Sequence, residues 1–229
     1  MNEIIPNILN EDLLANAEPQ YAIAPLLIWA AGAAGAALIG WIIYEIINST
    51  PSKPVVGTSI CVLGQKESGK TTFLNWLRYD KFTETYTQTS NTEYEEFKYE
   101  TESTIYKIAS GKDIGGDNSY KSLYETLISK NEICIFVFDV AKFLKDSAYR
   151  QETWDRADLI YHFRSDRTKR HTIGTHFNNT DSKDVNEIAN KVVKLSENKR
   201  FKDMFAFNFT VVDFAKRDSF KDCVKRIFG

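Results

Sequence analysis

Two patterns are missing from this 229-residue chain, and each absence removes a class of protein. There is no Cys-x-x-Cys pair. The cysteines Cys61, Cys134 and Cys223 lie far apart, which argues against a zinc site or disulfide framework and predicts reduced, structural thiols. There is also no long block of lysine or arginine. With 29 basic against 31 acidic residues the formal net charge is −2, so no nucleic-acid partner is expected.

A third absence is local: residues 21–44 contain no charge. At a rise of ~1.5 Å per residue the stretch is long enough to cross a bilayer core of ~30 Å, and it is read as one transmembrane helix over 21–47. A signal peptide fits poorly, because the preceding segment 1–20 carries Glu3, Glu11, Asp12 and Glu18 and no basic residue. Lys53, Lys66 and Lys70 follow the helix. The positive-inside bias therefore predicts a single-pass protein with a short extramembrane N-terminus outside and the large domain cytoplasmic. Trp41 and Tyr44 suit an interfacial belt, and the small residues Gly32, Ala36 and Gly40 recur every four positions. That spacing is equally an ordinary enrichment of membrane helices and a face for self-association or a membrane partner. Residues 48–57, with Pro51 and Pro54, read as a short stiff linker.

What the chain does have is Gly64-Gln65-Lys66-Glu67-Ser68-Gly69-Lys70-Thr71, which fits the phosphate loop G-x-x-x-x-G-K-[ST] at every fixed position. Its glycines let consecutive N–H groups face an anion, Lys70 reaches the outer phosphates, and Thr71 ligates Mg²⁺. Thr72 continues the same turn. A β-rich apolar run precedes the loop and an apolar 3/4 spacing follows it, the strand–loop–helix context this chemistry needs.

Beyond the linker, apolar runs alternate with helical patterns. The expected fold over 58–229 is a three-layer α/β P-loop NTPase with a central, mostly parallel sheet. Strands are predicted at 59–63, 93–100, 104–109, 133–139, 172–177 and 207–213, and helices at 71–78, 119–129, 148–164, 182–196 and 219–228. The run 133–138 is the most continuously apolar and reads as a central strand. Asp113-Ile114-Gly115-Gly116 follows a predicted strand, where Asp113 can hold Mg²⁺ and Gly116 can offer its N–H to a terminal phosphate.

In order and spacing, GQKESGKTT, a threonine-rich loop, a pair of strands, DIGGD and the IFVFD strand resemble the small GTPases. Within them the Asp-x-Gly-Gly form resembles the Arf-like group. The N-terminal membrane helix is similar in architecture to the beta subunit of the signal-recognition-particle receptor. The resemblance covers roughly 58–229. It implies GTP/GDP and Mg²⁺ as cofactors, a protein effector as partner, and a switch threonine near Thr87 or Thr89, of which Thr89 is favoured as a nucleotide and metal ligand.

The resemblance also implies a guanine-reading motif, and here two alignments stay open. Asn178-Asn179-Thr180-Asp181 keeps the asparagine and the base-pairing aspartate, so guanine specificity would hang on Asp181. Thr175-His176-Phe177-Asn178 resembles the T-H-x-D variant with its aspartate replaced. Ala215, in Phe214-Ala215-Lys216, stands where the family places a residue beside the base. Two departures bear on catalysis. Asp117 stands where the family has a water-orienting glutamine, and Lys66 lies inside the loop, where a small residue is usual. An anionic Asp117 near a phosphate positions water poorly, so slow intrinsic hydrolysis of GTP to GDP and phosphate is expected, with Lys70 and Asp117 as the catalytic candidates.

The reading is therefore a membrane-tethered GTP-binding switch. Its competitors are a pseudo-GTPase scaffold in a membrane assembly and, more remotely, an ATP-using P-loop enzyme.

Overall fold

The computed structural model describes residues 53–82 and 91–229. The predicted N-terminal segment and membrane helix, the first half of the predicted linker (48–52), and Thr87 and Thr89 lie outside the described residues. Among the described residues no helix is long and apolar enough to cross a membrane. The compact unit Lys53–Gly229 is described below.

The unit opens with β1 (Val55–Thr58) and β2 (Ile60–Gly64), then α1 (Lys70–Tyr79), β3 (Thr92–Tyr94), β4 (Phe97–Glu100), β5 (Ile105–Ile108) and β6 (Gly111–Asp113). A 3₁₀ turn (Asn118–Leu123) leads into α2 (Tyr124–Lys130), followed by β7 (Ile133–Asp139), α3 (Val140–Lys145), α4 (Ser147–Phe163) and β8 (Lys169–Thr175). The chain closes with α5 (Val185–Ser196), α6 (Asp203–Ala206), β9 (Phe209–Val211) and α7 (Arg217–Phe228).

Strands β2, β7, β8 and β9 pair in that order, all parallel. The parallel β1–β5 pair is extended by antiparallel β4, and β3 pairs antiparallel with β6. Only Ser59 separates β1 from β2, so the chain passes directly from the β1–β5–β4 ladder into the β2–β7–β8–β9 ladder. A mostly parallel sheet between helices is the expected architecture.

Why β7 is central is visible in its alternation. Ile133, Ile135 and Val137 face a core built with α1 and α7 (Phe73, Leu77, Phe220, Val224), while Cys134, Phe136 and Phe138 face a second core with α2, α4 and α5 (Ile128, Ala157, Ile188, Val192). A strand covered on both faces has no polar side to show, hence its unbroken apolar run. Burying each such large side chain stabilises the fold by about 2 kcal/mol. All three cysteines are free and buried in these cores, as expected.

Several expected elements are corrected. The stretch predicted as a strand at 93–100 is two strands, because exposed Glu95 and Glu96 interrupt it where the partner changes from β6 to β5. Likewise 104–109 shortens to β5, and β6 is a separate strand. The predicted strand 207–213 shrinks to β9, Phe207 being 82 % exposed beyond the end of α6. The helix predicted from 119 begins as 3₁₀, and α3 was absent from the prediction. The end of the predicted linker is β1, whose half-exposed valines carry no alternation. Pro54 just before it keeps only an acceptor, which the Ile105 N–H fills at 2.9 Å.

Candidate functional site

The phosphate-loop sequence spans the turn from β2 to α1. Gly69 caps α1 at φ 94°, a left-handed conformation that a side chain would strain, and α1 has no acidic residue in its first turn. Its N-terminal N–H groups are thus arranged for an anion. Lys70 is 6 % exposed and its Nζ donates to Gln65 O at 2.7 Å. Burial pushes this ammonium down to about 8, against the pull of the Asp113 carboxylate. A buried cation held only by a carbonyl and distant acids has strong reason to take up an anion.

Thr71 Oγ1 donates to Asp113 Oδ2 at 2.8 Å, joining the start of α1 to the end of β6. Burial raises the Asp113 carboxyl above the usual carboxylate range, although the Thr71 hydrogen bond and Lys70 oppose it. Among the described residues Asp113 Oδ1 is buried with no hydrogen-bond partner. An unpaired carboxylate oxygen beside a threonine hydroxyl fits a hard divalent cation that completes its shell with phosphate oxygens and water. Among the described residues no cluster of three or more His, Cys, Asp or Glu could hold a metal by itself.

Gly116 presses against the phosphate loop: a Cβ there would lie 2.0 Å from the Lys66 N atom and 2.2 Å from the Gln65 carbonyl carbon. Only glycine permits that approach. Asp117 is exposed next to it, close enough for its charge to raise Lys70, and Lys66 is exposed on the loop. Glu67, at φ 61°, pairs with Lys142 Nζ at 3.1 Å, and that partner lowers its carboxyl. Ser68 is buried, and Thr72 is half-buried in α1.

A wall behind the loop was not anticipated. The Gln65 side chain is 2 % exposed, donates from Nε2 to Tyr149 O at 3.1 Å and accepts from Thr153 Oγ1 at 2.8 Å. Arg156, fully buried on the same face of α4, donates to Gly116 O at 2.7 Å and lies 3.5 Å from Gly64 O. From sequence α4 reads only as a helix, and its polar inward residues carry no motif.

Along the same C-terminal edge of the sheet, Thr175 Oγ1 lies 2.9 Å from Ser68 O and 3.1 Å from Phe138 O, tying the end of β8 to the phosphate loop. His176 follows at φ 58°, with Nδ1 3.7 Å from Asp139 Oδ2. Asn178 Nδ2 donates to Asp213 Oδ2 at 3.2 Å, and Asp213 Oδ1 accepts the Ala215 N–H at 3.0 Å. Asn178 and Ala215 are thus brought together through Asp213, an 8 % exposed residue that belongs to no sequence motif. Asp181 is not part of this group. Its side chain is 89 % exposed and pairs with Lys145 Nζ at 2.9 Å, which lowers its carboxyl. It borders a separate cavity of about 520 Å³ with Leu144, Ile188 and Leu195.

A family model described as "Roc: Ras of Complex, Roc, domain of DAPkinase" matches residues 59–158. This match supports a small GTPase-like P-loop domain. No curated protein matches the chain. The small GTPase-like match runs from just before β2 into α4, so it takes in the phosphate loop, Asp113, Gly116 and Arg156, and stops short of β8 and the Asn178–Asp213 pair.

Proposed function

We propose that this chain is a membrane-anchored GTP-binding switch with slow intrinsic hydrolysis. The observation that carries the reading is the meeting of Thr71, Asp113 and buried Lys70 at a helix N-terminus, with one Asp113 oxygen left unpaired. When bound, Mg²⁺ would be held by Thr71 and Asp113 and would neutralise phosphate charge. Lys70 would bind the outer phosphates, Gly116 would offer its N–H to the terminal one, and Thr89 is the residue expected to add a further ligand to the cation. Thr175 ties the phosphate loop to the end of β8. The exposed, anionic Asp117 orients water poorly, so turnover without a partner is slow. The Asp-x-Gly-Gly form supports kinship with the Arf-like group, and the uncharged stretch 21–44 supports a membrane anchor with the nucleotide domain on the cytoplasmic side. A protein effector would read the surface formed beside the terminal phosphate.

One observation favours a second reading, a pseudo-GTPase scaffold. Asp213 already engages the Asn178 amide and the Ala215 N–H, the groups that would read the guanine edge. Equilibrium titration of the full-length chain with fluorescent GDP, GTP and ATP, with and without Mg²⁺, separates the possibilities. Mg²⁺-dependent guanine preference supports the switch, and adenine preference an ATP-using enzyme. Absence of binding supports the scaffold.

A further inference from the structure

We propose that Arg156 is a positioning residue that holds the Asp-x-Gly-Gly loop closed on the phosphate loop whether or not nucleotide is bound; its role in switching rests on the GTP-binding reading above, but the closure itself does not. The guanidinium lies in the middle of α4 and is completely buried. Its Nη2 donates to Gly116 O at 2.7 Å, Asn118 Oδ1 at 3.1 Å and Glu152 Oε1 at 2.8 Å. Its Nη1 donates to Tyr124 Oη at 2.8 Å and lies 3.5 Å from Gly64 O, and its Nε faces Glu152 Oε1 at 3.1 Å. Glu152, with a side chain 34 % exposed, is the acid that balances the charge.

The two carbonyls carry the argument. Gly64 opens the phosphate loop and Gly116 ends the Asp-x-Gly-Gly turn, so one rigid, permanently charged fork spans both loops that would touch phosphate. Because a trans peptide directs its C=O and N–H in opposite directions, pinning Gly116 O toward α4 turns the Asp117 N–H away from it. The same contact holds Gly116 at its closest approach to Lys66. Opening the loop would strip a buried cation of a backbone acceptor, which low dielectric makes costly. The loop is therefore preset, and a terminal phosphate meets it rather than recruiting it.

Hydrogen–deuterium exchange on the full-length chain tests this without nucleotide, comparing the segment 115–121 with β7 in the wild type, Arg156→Met and Arg156→Lys. A lysine keeps the charge beside Glu152 but cannot span Gly64 and Gly116. Both variants should exchange at least about tenfold faster in 115–121, with β7 unchanged. In the wild type, GDP and a non-hydrolysable GTP analogue should protect that segment equally, to within about threefold. The proposal is overturned if wild-type 115–121 is unprotected, if Arg156→Lys exchanges like the wild type, or if loop and β7 lose protection together, as a structural arginine would require. It is also overturned if the analogue protects the wild-type loop far more than GDP does. Failure of the wild type to bind either nucleotide would overturn the switch reading alone, since the nucleotide-free comparison still decides the closure.

Discussion

The phosphate end and the base end of this site are built differently. At the phosphate end Lys70, Gln65, Asp113 and Arg156 are buried and hydrogen-bonded to backbone or to neighbouring side chains. At the base end His176 and Asn178 are exposed, and the buried acid between Asn178 and Ala215, Asp213, is spent on those neighbours. Phosphate recognition rests on backbone N–H groups and one cation, which tolerate almost any ligand beyond the phosphates. Base recognition needs particular side-chain donors and acceptors in unspent positions. The difference teaches that nucleotide binding and guanine choice can fail separately in this molecule.

The strongest test of the contrast removes the phosphate end. Lys70→Ala should weaken GTP and GDP binding by at least about 30-fold in a fluorescence titration, because it deletes the buried cation. Retained binding would mean the base end carries affinity. Next, the pH dependence of stability without nucleotide reads the same group. Lys70 is depressed to about 8 in the fold and returns to its ordinary 10.5 on unfolding, so the unfolded chain binds more protons between those values. Stability should therefore rise with pH across that window, by on the order of 3 kcal/mol from this group, in denaturant titrations. Lys70→Met should remove that rise.

Gly116→Ala places a methyl group where 2.0 Å separates it from Lys66 N, and the loop must shift. Triphosphate affinity should fall about tenfold while thermal stability drops by about 1–3 kcal/mol, the usual range for overpacking. At the base end, Asp213→Asn should change the GTP-to-ATP affinity ratio by about fivefold while leaving the common phosphate affinity intact. A parallel loss of both nucleotides would erase the proposed division. Smallest of all, Asp181→Ala should leave affinity and base preference unchanged, since that carboxylate is solvent-exposed and pairs only with Lys145. A loss of guanine preference there would restore the Asn-Asn-Thr-Asp alignment.

The phosphate end was legible in the sequence because its chemistry is local. Gly64, Lys70 and Thr71 lie within one turn, and β7 announced itself by a run of apolar residues that two covering layers require. The breaks at Glu95 and Glu96, and the strand β1, were less legible. There the partner strand decides the pairing, and half-exposed valines show no alternation. Asp213 was missed because its role appears only when β9 lies beside β8.

The sequence by itself determined that a phosphate loop, an Asp-x-Gly-Gly turn and an alternating α/β core exist, since each depends on residues within reach of one another along the chain. Only the tertiary structure decided that Arg156 belongs to that site. Read along α4 it is a charge four residues from Glu152, an ordinary pair on a helix surface. Its partners Gly116 and Gly64 lie 40 and 92 residues away. No local pattern encodes such a contact, because it exists only once the sheet has placed α4 behind both loops.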